Sequence, residues 1–281
     1  MPEITAQMVS QLREQTGAGM MECKKALVEA DGDMDRARDI LRSTGKAGAE
    51  KRAGRAAAEG VVAATTTGQA AALVELNSET DFVARNEEFK ALARDLAELV
   101  TKVKADSVDD VLAQNLNGSE TAGQRLDDAR AKLRENVLFR RFARYEARPD
   151  SVFATYIHTV TNKIGVLVEL EGDPSNASQQ ELARNIAMHI AANKPEFLSR
   201  DAVPAEAVER EKQVLAELTR NEGKPDAAIP KIVEGRIGKY FERVVLVDQP
   251  YVRDQSKKIA QLAEEAGAKV RRFTLFVVGQ E

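Results

Sequence analysis

Side chains that commonly perform covalent or metal chemistry are scarce in this sequence. It contains one cysteine, Cys23, and two histidines, His158 and His189. Cys23 occurs at helical spacing with apolar residues and has no histidine near it in sequence, which favours a packed thiol over a nucleophile. His189 lies in an Ala- and Ile-rich helical stretch and is expected to be a partly buried structural histidine, whereas His158 is predicted to lie on a strand. The sequence therefore predicts no catalytic set, no metal site and no cofactor.

Glycine motifs that bind nucleotide phosphates are absent from the sequence as well. No Gly-x-Gly-x-x-Gly follows a predicted strand, and no Gly-x-x-x-x-Gly-Lys-Ser/Thr occurs. Gly17-Ala18-Gly19 lacks the length and the lysine of a phosphate loop. The chain itself is not expected to bind a nucleotide.

One polar segment carries a single large aromatic side chain. Residues 77–86 read Asn-Ser-Glu-Thr-Asp-Phe-Val-Ala-Arg-Asn and directly follow a predicted strand. In one interpretation Phe82 packs under its own loop, while Thr80 or Asp81 caps the next helix. In the other, Phe82 is a wedge at a rigid loop tip, where an aromatic anchor beside a carboxylate is suited to entering a partner's pocket. The residue types leave both interpretations open.

The composition is that of a globular protein. The 281 residues are 43 % hydrophobic and 31 % charged, with 5 % aromatics and no Trp, so the cores are expected to consist of Ala, Leu, Val and Ile. That length corresponds to about two typical domains. The sequence has no apolar run near the roughly 18 residues of a membrane span, and its start does not resemble a signal peptide. A reducing cytoplasm is the expected location.

The charge balance argues against nucleic acid as a direct partner. The 41 basic and 45 acidic side chains give a formal net charge of −4, whereas nucleic-acid binders usually have a basic excess or a dense basic patch. Lys46, Lys51, Arg52 and Arg55 do cluster among Ala and Gly in the stretch 46–60. This stretch is predicted to be a solvated helical linker, with an electrostatic contact to a partner as the alternative. RNA binding through the stretch from Arg42 to Arg55 is a further alternative, which the acidic balance disfavours.

The first 45 residues are predicted to form a compact unit of three helices. Thr5 is a plausible N-cap, Thr16 to Gly19 breaks the first helix, and Asp31-Gly32-Asp33 separates the second from the third. Gly45 is expected to close the unit. A core of this size is marginal, so the unit is expected to lean on another part of the chain or to stay mobile.

From Gly60 onwards the residue pattern changes to a strand type. Residues 61–67 and 71–77 predict a β-hairpin around Gly68-Gln69. An amphipathic helix with Phe89, Leu92, Leu96 and Leu99 on one face follows. Residues 104–123 predict a loop with one short helix, and a further helix is predicted over 124–146.

Two of these elements recur in the same order. A second hairpin is predicted over 152–170, in which Leu-Val-Glu-Leu at 167–170 repeats the same string at 73–76. Downstream, the helical string at 182–187 resembles that at 92–97. This order indicates a duplicated α+β unit, although strings of this kind also recur by chance.

The remainder predicts two helices and a last strand. Residues 201–241 carry two thinly apolar helices around a turn at 223–226, which indicates a projecting antiparallel hairpin. Residues 244–247, a helix around Ile259 and a strand over 270–278 follow, and these could add strands to the second sheet. The predicted units are 1–45, the linker 46–60, a core N-subdomain 61–147, and a core C-subdomain 148–281 that includes the hairpin 201–241.

Four stretches resemble the elongation factor Ts family, in family order and over nearly the whole chain. They are Leu-Arg-Glu-Gln-Thr-Gly-Ala-Gly-Met-Met-Glu-Cys-Lys-Lys-Ala-Leu at 12–27, Thr-Asp-Phe-Val-Ala-Arg-Asn at 80–86, His-Ile-Ala-Ala-Asn-Lys-Pro-Glu-Phe-Leu at 189–198 and Ile-Val-Glu-Gly-Arg at 232–236. The first two together are highly specific. The resemblance implies an α+β fold, in which an N-terminal domain similar to ubiquitin-associated domains precedes two related α+β subdomains with small antiparallel sheets and a protruding helical hairpin.

The resemblance also implies a non-enzymatic guanine-nucleotide exchange factor for the GTPase elongation factor Tu. In the family, a Thr-Asp-Phe-Val segment enters the GTPase near its magnesium site, and the N-terminal domain touches its nucleotide-binding domain. The positions that match are Thr80, Asp81, Phe82 and Val83 for displacing Mg²⁺, Leu12, Met20, Met21 and Lys24 in the N-terminal domain, and His158 in the core.

This sequence also departs from the family pattern. The well-known enterobacterial form has a small Ile-Gly pair where this chain has Leu133-Arg134, so no contact is carried over there. That form continues into a C-terminal helix, which is not expected here because Glu281 directly follows the last strand. Some members dimerise, and the sequence leaves a homodimer open.

Besides RNA binding, two alternative functions remain at this point. In the first, the chain is a plain interaction module whose three N-terminal helices bind a ubiquitin-like protein or a nascent chain. In the second, it is an enzyme with an unfamiliar site, which the scarcity of His and Cys disfavours.

Overall fold

The structure, a computed structural model, describes residues 4–52 and 54–280, without the side chains of 46–51. The helices are α1 (Ala6–Thr16), α2 (Met20–Glu29), α3 (Met34–Arg52), α4 (Asp81–Ala84), α5 (Glu87–Lys102), α6 (Val108–Leu112), α7 (Ala122–Leu133), α8 (Ala177–Asn193), α9 (Ala205–Asn221), α10 (Ile229–Val244) and α11 (Ile259–Glu265). The strands are β1 (Glu59–Thr66), β2 (Ala70–Ser78), β3 (Leu138–Glu146), β4 (Ser151–Ile157), β5 (Ile164–Glu171), β6 (Pro250–Tyr251), β7 (Asp254–Lys258) and β8 (Lys269–Val277). The fold is α+β, as predicted.

The three N-terminal helices form where the capping residues place them. The Thr5 hydroxyl accepts from the Met8 amide at the start of α1, and the Asp33 carboxylate accepts from the Asp35 amide at the start of α3. Apolar side chains of the three helices meet in one small core around Leu12. These contacts confirm the predicted three-helix arrangement.

The expectation that Gly45 closes this unit is wrong, because α3 continues to Arg52. The residues after Gly45 are mostly Ala, Lys and Glu, which favour a helix. A Cβ atom on Gly45 would lie 3.1 Å from the Ala131 Cβ in α7, so glycine serves close packing between two helices here. The first half of the predicted linker is thus helical, and the side chains of Lys46 and Lys51 lie outside the described residues.

The first sheet has the antiparallel order β1-β2-β3, with β2 in the centre and buried at every position. Helix α5 covers one face with Phe89, Leu92, Leu96 and Leu99, all of them buried. The predicted hairpin and amphipathic helix are therefore confirmed, as is the short helix α6 within the loop that follows.

The prediction of one helix over 124–146 is wrong in its second half. Helix α7 ends at Leu133, Arg134 adopts a left-handed conformation with φ 58°, and 138–146 form β3. The cause is long-range: a fully buried β2 needs hydrogen-bond partners along both edges, and β3 supplies the second.

The second sheet repeats the first, with the antiparallel order β4-β5-β8 and α8 packed against it. The pairing register shifts after Glu75 in β2 and after Glu169 in β5, the same position of the repeated Leu-Val-Glu-Leu string. This correspondence supports the duplicated unit. The two sheets face each other across a further apolar cluster formed by Val62, Ala71, Leu73, Tyr145, Leu167, Phe276 and Val278.

Other C-terminal segments differ in part from the expectation. The strand β8 joins the second sheet as anticipated, but α10 extends to Val244 and a 3-10 turn follows at Leu246–Asp248, so 244–247 adds no strand. The small hairpin β6–β7 was missed. Helices α9 and α10 form the antiparallel hairpin, held near its tip by a two-pronged ion pair between Arg236 and Glu222. The domain boundaries remain predictions.

Candidate functional site

Phe82 lies on the outside of the molecule at the end of a buried strand. The chain leaves β2 and turns at once into α4, where the Thr80 hydroxyl accepts from the Val83 amide at 3.4 Å. Val83 and Ala84 point into the core of the first sheet, and Phe82 on the opposite side is 83 % exposed. The interpretation that Phe82 packs under its own loop is therefore wrong, and Thr80 is the helix cap.

A distant carboxylate holds this turn in place. One oxygen of Glu135 accepts from the amides of Glu79 and Thr80, each at 3.0 Å, and its other oxygen accepts from the Thr80 hydroxyl at 2.5 Å. The Asn136 amide in turn donates to the Glu79 carboxylate at 2.7 Å. Sequence reasoning missed Glu135, because nothing in its neighbourhood relates it to a loop 55 residues away.

Asp81 places a negative charge beside the exposed ring. Its carboxylate is 44 % exposed and lies 3.0 Å from the Arg85 guanidinium, one helical turn further on. Ion pairs at such exposed positions contribute little to stability, so both groups are available to a partner. The site therefore presents an aromatic side chain, a carboxylate and a guanidinium on one short turn.

A second exposed surface lies on α2. Met20 and Met21 are 56 % and 64 % exposed, and Lys24 and Val28 are exposed on the same helix. Leu12, which sequence reasoning grouped with them, is fully buried among the three helices. Its side chain cannot touch a partner, so that part of the assignment is corrected. Leu12 instead packs against the buried side of α2.

Two comparisons with known proteins agree over residues 79–280, and one of them extends over almost the whole chain. The family model described as Elongation factor TS matches residues 79–280, which includes the Phe82 turn, β3 and both halves of the helical hairpin. A curated protein named Elongation factor Ts, from Alkalilimnicola ehrlichii, is 46 % identical over 279 residues, covering 99 % of this chain and 92 % of its own length.

The chain belongs to the elongation factor Ts family. Its place in protein biosynthesis, as a translation elongation factor, follows from that membership. The family match includes Glu135 as well as Thr80, so the contact that holds the Phe82 turn lies wholly within it.

His158, the core residue singled out by the resemblance to the elongation factor Ts family, lies just past the end of a strand. Strand β4 ends at Ile157, so His158 begins the following loop rather than lying on the strand as predicted. Its amide donates to the Ile164 carbonyl and its ring nitrogen Nδ1 lies 3.3 Å from the Thr161 hydroxyl. Val160 in the same loop is 86 % exposed and was not singled out from the sequence.

The other two candidate reactive residues are structural in this elongation factor Ts family member. Cys23 is fully buried, and that burial raises the pKa of its thiol. His189 is also fully buried: Nδ1 accepts from the Val252 amide at 3.2 Å and Nε2 lies 2.8 Å from the Gln249 side chain. Burial lowers the pKa of His189, so the ring is neutral near pH 7.

Neither a metal cluster nor a bilayer helix was found in the part of the chain that the structure describes. Within 4–52 and 54–280, His, Cys, Asp and Glu side chains nowhere gather in threes or more in a way that could hold a metal ion. No helix among these residues is both long enough and apolar enough to cross a bilayer.

Proposed function

We propose that this protein is a guanine-nucleotide exchange factor for elongation factor Tu. It binds the GDP-bound GTPase, displaces Mg²⁺ and promotes release of GDP so that GTP can enter. The observation that carries the proposal is the exposed Phe82, held on a rigid turn beside Asp81 in a chain of the elongation factor Ts family.

The physical basis is the role of the partner's metal ion. Mg²⁺ bridges the nucleotide phosphates and the GTPase and offsets their negative charge. Phe82 enters the GTPase near this ion and displaces the residues that hold its water shell, and Asp81 stabilises the displaced arrangement. Once the metal contacts are lost, GDP dissociates faster.

Binding energy for this step comes from apolar area that water covers in the free protein. A Phe side chain moved from water into an apolar pocket gains roughly 2 to 3 kcal/mol, and Phe82 begins 83 % exposed. The residues before the ring are held by Glu135, and Val83 after it is buried in the core. The ring therefore loses little conformational freedom when the partner binds.

The α2 surface supplies a second contact. Met20, Met21 and Lys24 bind the nucleotide-binding domain of the GTPase, while His158 contributes from the core. Two surfaces on one chain raise the effective concentration of each for the same partner. This arrangement adds affinity without requiring chemistry at either surface.

The reaction is an exchange through a ternary complex, with no covalent step and no cofactor. Thermodynamic linkage requires GDP to weaken binding of this protein by the same factor as this protein weakens GDP binding. The protein acts in the cytoplasm without direct contact to nucleic acid. A measurement of its mass in solution distinguishes a monomer from a homodimer.

The test is release of a fluorescent GDP analogue from purified elongation factor Tu, with and without this protein, across magnesium concentrations. We expect acceleration that shrinks when magnesium is removed beforehand. If the folded protein gives no acceleration, the exchange role is wrong. Titration with a ubiquitin-like protein or a nascent-chain peptide then tests the alternative of a plain interaction module.

A further inference from the structure

Three consecutive residues after α7 contact three separate parts of the molecule. The Arg134 guanidinium lies 2.6 Å from the Glu22 carboxylate in α2. Glu135 accepts three hydrogen bonds from the turn before Phe82. The Asn136 side chain donates to the Arg55 carbonyl at 2.8 Å, in the segment that leads from α3 to β1. The segment 134–136 is called the junction below.

The Glu135 contacts fix the direction in which the chain leaves β2. Two of its three donors are the consecutive amides of Glu79 and Thr80, which are the last peptide groups before α4. The Phe82 ring has little packing of its own, since it is 83 % exposed. Its position in space is therefore decided by the peptide groups before it and by Val83 behind it.

The Arg134 contact links the start of α2 to the junction. The Glu22 carboxylate oxygen that meets Arg134 also accepts from the Gly19 amide at 3.1 Å, which caps the helix immediately before Met20. Arg134 has φ 58°, a conformation that favours glycine at the end of a helix and costs other residues about 1 kcal/mol. The arginine thus occupies a position where glycine is the better local choice, and its side chain makes the contact to α2.

We propose that the junction sets the Phe82 turn and helix α2 relative to one another, with Glu135 as the positioning residue for the turn and Arg134 for the helix. The inference rests on the proposed exchange function for its consequence, because it explains how two contact surfaces meet one GTPase in a fixed geometry. Neither residue needs to touch the GTPase to act in this way.

The first test follows amide hydrogen exchange in the free protein and requires no GTPase. In the Glu135→Ala variant we expect the amides of Glu79 and Thr80 to exchange at least about ten-fold faster, because each loses its acceptor. The amides of β1 and α5 should keep their protection. Unchanged exchange at Glu79 and Thr80 would overturn the assignment of Glu135.

The second test separates positioning from folding through the kinetics of GDP release. In Glu135→Ala we expect the maximal exchange rate to fall about ten-fold, with the half-saturating concentration within about two-fold, because the α2 surface is intact. Glu135→Gln should restore most of the rate, since an amide oxygen still accepts from the two peptide groups. Glu88→Ala, which removes an exposed carboxylate paired with Lys132, is the matched control and should match the parent protein.

Loss of the Arg134 contact should give the opposite kinetic pattern. Arg134→Gly suits the left-handed helix end but cuts the contact to Glu22, so the thermal midpoint should not fall. We expect the half-saturating concentration to rise roughly three- to ten-fold at an unchanged maximal rate. An unchanged half-saturating concentration would remove Arg134 from the proposal.

Failure of the exchange function is distinguishable from failure of the junction. The parent protein could fail to accelerate GDP release from elongation factor Tu while Glu135→Ala still speeds amide exchange at Glu79 and Thr80. In that case the positioning holds and the proposed function is wrong. If the parent protein is active and Glu135→Ala is equally active, the positioning is wrong.

Discussion

Glu75 and Glu169 are equivalent buried carboxylates in the two sheets. Each is fully buried in the central strand just before the register shift, and each accepts from an arginine Nε on the third strand, at 2.7 Å from Arg141 and 2.5 Å from Arg272. The third strands share the string Arg-Arg-Phe, at 140–142 and 271–273. Among the described residues, the duplication therefore extends to the one carboxylate that each half buries.

The first prediction concerns the stability of the second sheet. Glu169 also meets Arg271 at 2.8 Å, so Glu169→Ala leaves two guanidinium groups without their buried partner. We expect a loss of about 3 kcal/mol in the free energy of unfolding, measured with urea. Glu171→Ala removes an exposed carboxylate 3.4 Å from Arg271 and should cost less than about 1 kcal/mol. Equal losses in the two variants would contradict the importance of burial.

The second prediction concerns Phe82. Phe82→Ala should fold with an unchanged thermal midpoint, because the ring is 83 % exposed. Its rate of GDP release from elongation factor Tu should fall roughly thirty-fold, the loss expected for an aromatic anchor of about 2 kcal/mol. Full activity in the folded variant would contradict the proposal that the Phe82 ring enters a pocket of the partner.

The neighbouring residue supplies the matched control for that experiment. Val83 is only 9 % exposed and packs in the core of the first sheet. Val83→Ala should therefore lower the free energy of unfolding by about 1 to 2 kcal/mol. At temperatures where it is folded, the exchange rate should stay closer to that of the parent protein than in Phe82→Ala.

The third prediction concerns the α2 surface. Changing Met20 and Met21 together to Ser should leave the stability unchanged, since both are more than half exposed at 56 % and 64 %. The half-saturating concentration for elongation factor Tu should rise about ten-fold, as titrations of the exchange rate would measure. By contrast, Leu12→Ala should destabilise the three-helix unit by about 2 to 5 kcal/mol, because it removes a fully buried side chain.

The fourth prediction is a pH dependence from His189. Burial holds its pKa in the folded state below the ordinary value of about 6.5. The unfolded chain then binds a proton that the folded chain does not, so the contribution of His189 is fully present above about pH 6.5 and is lost as the pH falls below it. Urea unfolding between pH 7.5 and 5.5 should show a decline in the free energy of unfolding. This one group contributes at most about 1.4 kcal/mol per pH unit to that decline. The slope should be smaller in His189→Gln.

The sequence predicted the hairpins and α5 correctly because their signals are local. The β-branched Val and Thr residues from Val61 to Thr66 and the helical spacing of Phe89, Leu92 and Leu96 each lie within one element. It failed at β3, since Phe139 and Phe142 are three residues apart, which a helix also allows. Only the need of β2 for a second partner decides that segment.

The candidate site was predictable in its residues but not in its geometry. The string at 80–83 stands out in the sequence, yet apolarity alone places Phe82 and Val83 in a core equally well. Val83 and Ala84 occupy the available core space, which leaves Phe82 outside. Glu135 could not be found at all, because its relation to Thr80 exists only in three dimensions.

The direct continuation of β2 into the Phe82 turn has a mechanical consequence. The component of a force on the ring that acts along β2 is passed to a strand that is hydrogen-bonded on both sides, to β1 and to β3. Both ladders are then loaded in shear, so all of their hydrogen bonds share the load at once. The Phe82 turn is therefore carried by a stiff strand, and in the proposed exchange the work of inserting the ring would be spent in deforming the partner.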